Sequence, residues 1–174
     1  MDTALYQGWK NTPWSDPTIA WQGDGFVANG FCRECRRCCG PQKGDPPYPM
    51  PLMPWQLDGK EAERFYMLDA TTSCLDERGC KALGEGGCTL PRSLRPIACG
   101  LFPIVCMEGA LFLYRLCPAS LCLPFGEWQS MGEKAALWLR QTFSVDNLHR
   151  LSLPKPSCNH DRYIPLFLSV FEVA

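Results

Sequence analysis

Cys32, Cys35, Cys38 and Cys39 spell C-x2-C-x2-C-C within the stretch Phe31-Cys-Arg-Glu-Cys-Arg-Arg-Cys-Cys-Gly40. Four thiols within eight residues are far denser than core packing requires. A thiol is a soft donor that becomes a strong metal ligand once it loses its proton. Two-residue gaps let the chain curl round a single ion, as in zinc knuckles and in the cysteine runs of bacterial ferredoxins. The chemistry on offer is the holding of metal through sulfur.

A second stretch, from Gly79 to Pro103, spaces Cys80, Cys88 and Cys99 along glycine-rich and proline-stiffened chain. Gly84, Gly86 and Gly87 permit the backbone angles needed to wrap an ion. Pro91 and Pro96 remove backbone donors and fix local direction. Further on, Cys117-Pro118 is the dipeptide that ends many iron–sulfur runs.

Taken together, residues 31–118 resemble the bacterial and archaeal Cys-x2-Cys-x2-Cys-Cys family of zinc- or iron-chelating domains known as YkgJ-like. The resemblance rests on Cys32, Cys35, Cys38 and Cys39, then Cys80, Cys88, Arg95-Pro96, Cys99 and finally Cys117. The flagellin lysine N-methylases, whose related cysteine cluster is associated with an iron–sulfur cofactor, look like distant relatives. The resemblance implies metal binding by these eight cysteines more firmly than it implies any reaction. One departure is clear: the family's knuckle often carries Gly where this chain has Arg36-Arg37.

Eight cysteines suit two four-ligand sites, or one cluster with extra ligands. Cysteine-only zinc sites usually come as two C-x2-C pairs. One knuckle followed by single distant cysteines is closer to a plant-type ferredoxin distribution, so iron–sulfur is slightly favoured over zinc. Four thiolates on one zinc carry a formal charge of about −2, which Arg33, Arg36, Arg37, Arg92 and Arg95 are placed to offset.

The other cysteines of the 12 are Cys74, Cys106, Cys122 and Cys158. Cys106 reads as a small buried hydrophobe within a strand. Cys74 and Cys122 are balanced between core and ligand. Cys158-Asn-His160 is one Cys and one His without a partner pair, and His149 reads as structural. No GxGxxG, Walker, H-E-x-x-H or G-x-S-x-G motif occurs. The leading expectation is a thiolate metalloprotein. The alternatives are a metal-dependent enzyme modifying a protein or peptide, and a redox or metal-delivery protein with a protein partner.

Composition sets the frame. With 174 residues, 19.6 kDa and 46% hydrophobic residues, the chain can bury a core without covalent staples. A net charge of −1 and a pI near 6.1 argue against nonspecific binding to nucleic acid or anionic membranes. Residues 1–30 lack an apolar signal region, and the apolar stretch Ile164–Ala174 is too short to span a bilayer. A reducing cytoplasm is the expected location, with metal-bound thiols rather than disulfides.

These residues must be positioned by an irregular α+β fold rich in Cys, Gly and Pro. Three regions are expected: an aromatic arm over 1–30, a cysteine-cluster domain over 31–125, and a helical extension over 126–174 packed on it. Pro46–Pro54 should run as polyproline II. Asp58-Gly-Lys-Glu61 reads as a capping box opening a helix to about Leu68, burying Ala62, Phe65 and Leu68. Ile104–Met107 and Ala110–Leu116 flank Glu108-Gly109 as a hairpin. Gly126 to Phe143 is the strongest helix, with Trp128, Met131, Ala135, Trp138 and Thr142 on one stripe. Over Thr71–Gly100, metal is expected to stand in for regular structure.

Overall fold

A computed structural model describes residues 18–41, 48–57, 63–154 and 160–171. The framework is an antiparallel sheet of β7 (Ile104–Met107), β8 (Ala110–Tyr114) and β9 (Tyr163–Ser169), in that order. Glu108 and Gly109 both hold positive φ, 47° and 75°, the geometry of a two-residue hairpin turn matched to strand twist. Gly109 is required there, because a Cβ would fall 2.0 Å from the Phe171 ring.

β8 alternates burial strictly: Leu111 and Leu113 turn inward to one core. Phe112 and Tyr114 turn to a second, smaller cluster with Val105, Met107 and Leu153. The long helix α3 (Phe125–Thr142) covers the first face with Trp128, Met131, Ala135 and Leu139. Its Gly132 allows contact with β9, since a Cβ would come within 2.8 Å of Leu168 and 3.0 Å of Leu166. The inward stripe continues through Leu139, and Thr142 is exposed. A short helix, α4 (Val145–Leu151), follows, with Ser144 accepting from the Asn147 amide as its N-cap.

Around this framework lie two-stranded ribbons. β1 (Ile19–Trp21) pairs with β2 (Val27–Asn29), β3 (Tyr48–Pro51) with β4 (Thr72–Leu75), and β5 (Leu83–Gly84) with β6 (Gly87–Cys88). Mixed α+β architecture is therefore present, and the 71–100 stretch carries short regular elements of its own, including helix α2 (Ile97–Leu101).

Three expectations need correction. Tyr48–Pro51 is a strand rather than polyproline II, because Pro49 and Pro51 sit on β3, which pairs on one side only, with β4. Residues 42–47 lie outside the described residues. Among the described residues the helix does not run on to Leu68: the helical turn ends at Arg64, Phe65 is buried, and Leu68 is exposed. The Asp69 carboxylate instead accepts from the amides of Thr71 and Thr72, and that turn starts β4. The proposed cap over Asp58–Glu61 lies outside the described residues. Finally, the supposed helical extension is α-helical only through Leu151, and it closes with a seven-residue strand, β9. Within the aromatic arm, Trp21 packs edge-on against Trp138 at 6.5 Å, while residues 1–17 lie outside the described residues.

Candidate metal centre

The β1–β2 ribbon delivers the chain into helix α1 (Phe31–Cys35), anchored by the buried Phe31. Cys32 and Cys35 are three residues apart on it and so share a face. The helix ends at Arg36, which adopts the left-handed conformation at φ 49°, ψ 10°. A left-handed residue at a helix end is most often Gly. Here it turns the chain so that Cys38 and Cys39 follow at once, closed by the Gly40 amide donating to the Arg36 carbonyl over 2.7 Å.

The second cysteine stretch is joined to this knuckle through backbone. The Cys80 amide donates to the Cys39 carbonyl over 2.7 Å. Gly79, at φ 76°, leaves no room for a Cβ, which would lie 2.8 Å from the Gly40 carbonyl carbon. The Arg36 guanidinium donates to the Glu85 carbonyl, holding the β5–β6 ribbon that carries Cys88. Cys99 stands on α2, and its sulfur lies 3.3 Å from the Met50 thioether on β3. Cys117 is buried, with the Asn29 side-chain amide donating toward its sulfur at 3.8 Å.

The electrostatics divide the thiols. Cys32 is pushed up to about 12 by burial and then by the charges of Cys117, Cys39 and Cys35. Cys38 donates to Cys39 and is raised by that bond, by burial, and by Cys39, Cys32 and Cys117. Cys117 is raised to about 11 by burial, with Cys35 adding. These interactions tie Cys32, Cys35, Cys38 and Cys117 together. A second group forms around Cys99, which is raised by burial and by Cys39, Cys80 and Cys88. Cys80 is raised by burial, with Cys39 and Cys88 adding. Cys39 joins the two groups and is lowered to about 7, first by accepting from Cys38 and then by the Arg95 charge. Cys99 is an exposed residue of α2.

The remaining described cysteines have other neighbours. Cys74 is raised by burial and by Asp76. Cys106, buried in β7, is raised to about 11 by burial, with Ser152 opposing. Cys122 is raised by burial. Cys158 lies outside the described residues, and His149 stacks on Phe171 at 4.3 Å. All described cysteines are free thiols. As the side chains stand, no three His, Cys, Asp or Glu among the described residues converge closely enough to share one ion.

Two participants carried no spacing signal in the sequence. Met50 adds a soft thioether beside Cys99. Gln56, only 1% exposed, accepts from the Met53 amide and donates to the carbonyls of Leu94 and Arg95. It thereby fixes the backbone of Arg95, whose charge favours the thiolate forms of Cys32, Cys39 and Cys99. Among the other arginines expected to offset thiolate charge, the side chain of Arg33 is not among those described.

No family model, curated protein or solved structure matches the chain. No helix among the described residues is long and apolar enough to cross a membrane.

Proposed function

We propose that this chain is a thiolate metal-binding protein that holds an iron–sulfur cluster or zinc through Cys32, Cys35, Cys38, Cys39, Cys80, Cys88, Cys99 and Cys117. One observation carries the reading. The eight cysteines singled out by spacing lie within reach of one another's charge: Cys117, Cys39 and Cys35 act on Cys32, Cys39, Cys80 and Cys88 act on Cys99, and Cys39, bonded to Cys38, links the two sets. The chemistry of the donors fits a thiophilic cation: soft sulfurs, crowded so that each thiolate raises the cost of the next.

Zinc bound in this way would cross-link the glycine- and proline-rich chain, and an iron–sulfur cluster would add one-electron transfer. The protein's own residues prepare the setting. Arg95 supplies positive charge beside Cys39, Gln56 holds the Arg95 backbone, and Asn29 donates toward Cys117. Phe31, at the start of α1, and Met50, beside Cys99, are buried.

Anaerobic purification followed by metal and acid-labile sulfide analysis tests the reading. Brown protein with labile sulfide indicates iron–sulfur. Colourless protein with about two zinc ions per chain indicates two tetrahedral sites. Protein without metal whose circular dichroism and melting are unchanged by chelators defeats the proposal.

A further inference from the structure

Beside the thiols lies a half-open cleft of about 270 Å3 with an aromatic wall and a cationic wall. On the aromatic side, Trp55 stacks parallel to Phe143, with ring centroids 6.0 Å apart and planes 8° from parallel. Trp138 meets Phe143 edge-on at 5.2 Å. Trp55 lines the cleft and remains 46% exposed. On the cationic side, the Arg92 guanidinium sits 4.1 Å above the Phe26 ring and Arg95 sits 5.7 Å from it.

The floor is built of backbone in close approach. A Cβ on Gly25 would lie 2.2 Å from the Trp138 ring, and one on Gly100 would lie 2.5 Å from the Gly25 carbonyl oxygen. These two glycines let the Phe26 loop and α2 close against α3, which fixes the walls.

The charges of the two arginines are used differently. Arg95 acts on Cys32, Cys39 and Cys99. Arg92 spends one donor on the Gly23 carbonyl at 3.0 Å. Asp24 also lines the cleft, but among the described residues neither arginine pairs with a carboxylate. A guanidinium has five donors, so Arg92 keeps several for an anion.

We infer that this cleft binds a small planar aromatic ring carrying one anionic group, with the ring against Trp55 and the anion on Arg92. The volume lies just below the roughly 300–1,000 Å3 of drug-sized pockets, which limits the ligand to about one ring with a short acidic arm. Aromatic stacking and a charge-assisted bond to Arg92 together select this class over neutral rings and over aliphatic acids. The site goes beyond metal binding and does not depend on it.

Calorimetric titration of the full chain as purified, with phenylacetate, phenylacetamide, cyclohexylacetate and phenyl phosphate, tests the inference. Phenylacetate should bind, and the neutral amide should bind about tenfold more weakly, the loss expected for one charge-assisted bond. Cyclohexylacetate should also bind more weakly, by about threefold or more. Arg92→Gln should reduce phenylacetate affinity about tenfold, and Trp55→Ala should reduce it, while Arg150→Gln, at an exposed position outside the cleft lining, changes nothing. Tighter binding of phenyl phosphate than of phenylacetate assigns the natural anion as phosphate, and the reverse assigns it as carboxylate. Equal affinity for acid and amide, unchanged binding in a folded Arg92→Gln variant, or no binding of either acid at millimolar concentration overturns the inference. Metal analysis on the same samples keeps the two readings apart, because a metal-loaded chain that ignores both acids defeats this site alone.

Discussion

The Cys80 amide donates to the Cys39 carbonyl over 2.7 Å, so the two cysteine-bearing stretches meet backbone to backbone. Gly79 makes that contact possible through its φ of 76° and its missing Cβ. Gly79→Ala should therefore destabilise the fold by about 1–3 kcal/mol, since the methyl group meets backbone that cannot swing aside. The urea midpoint should fall while the slope of the transition is kept. A variant as stable as the parent would show that the junction can give way.

Arg36 occupies a left-handed turn without being glycine. Arg36→Gly relieves strain but loses the bond to the Glu85 carbonyl, and these should offset each other to within about 1 kcal/mol. Arg36→Val keeps the strain, crowds it with a branched side chain, and loses the same bond. It should cost about 2 kcal/mol or more in chemical denaturation. Equal stability of the two variants would mean that the turn does not constrain the knuckle.

Much of this arrangement was legible in the sequence where a residue's job is local. Glu108-Gly109 between two apolar runs specifies its hairpin through positive φ alone, and the stripe from Trp128 to Ala135 specifies α3 through helical period. The grouping of Cys117 with Cys32, Cys35 and Cys38 has no local cause, because it depends on how β2 and the 117–121 turn meet. β9 was hidden because Pro165 interrupts its apolar run, and a proline is tolerated there only because the strand is an edge. The helix predicted toward Leu68 lost to the Asp69 turn, a side-chain-to-backbone competition that apolar spacing does not register. Met50 and Gln56 serve the site through tertiary contact, and neither residue type announces that role.

Alkaline pH should destabilise the metal-free chain. Burial raises Cys106 and Cys117 to about 11, above the ordinary value of 9.0. A raised folded pKa means the unfolded chain loses protons first. The stabilisation is complete below pH 9 and disappears as pH climbs through 11. Cys106→Ala should remove its share of the loss, on the order of 2 kcal/mol, as read from urea midpoints measured across that window. A midpoint that stays flat, or rises, across the window contradicts the burial of these thiols.

Gln56 tests whether the Arg95 loop needs its buried amide. Gln56→Leu leaves the Met53 amide and the Leu94 and Arg95 carbonyls without these partners, at a cost of about 1–3 kcal/mol. If Arg95 then shifts away from the thiols, Cys39 loses a charge that favours its thiolate. Alkylation of the metal-free chain at neutral pH, mapped by peptide mass, should slow at Cys39 and remain unchanged at Cys122. Unchanged labelling at Cys39 in a destabilised variant would confine Gln56 to a structural role.

Substitution of single cysteines separates the two proposed groups. Cys117→Ser should lose the metal held with Cys32, Cys35 and Cys38, because a neutral hydroxyl replaces a thiolate poorly. Cys99→Ser should lose the metal held with Cys39, Cys80 and Cys88. Each variant should keep about half of the parent's metal if the groups are two tetrahedral sites. Cys35→Ser should behave as Cys117→Ser does, and Cys106→Ala, altered within β7, should keep all of it. Elemental analysis of the four proteins after identical anaerobic purification decides the matter. Total loss from either Ser variant would replace two sites with one shared cluster bridged at Cys39. Loss from Cys106→Ala alone would remove the basis for ranking the eight spaced cysteines above the others.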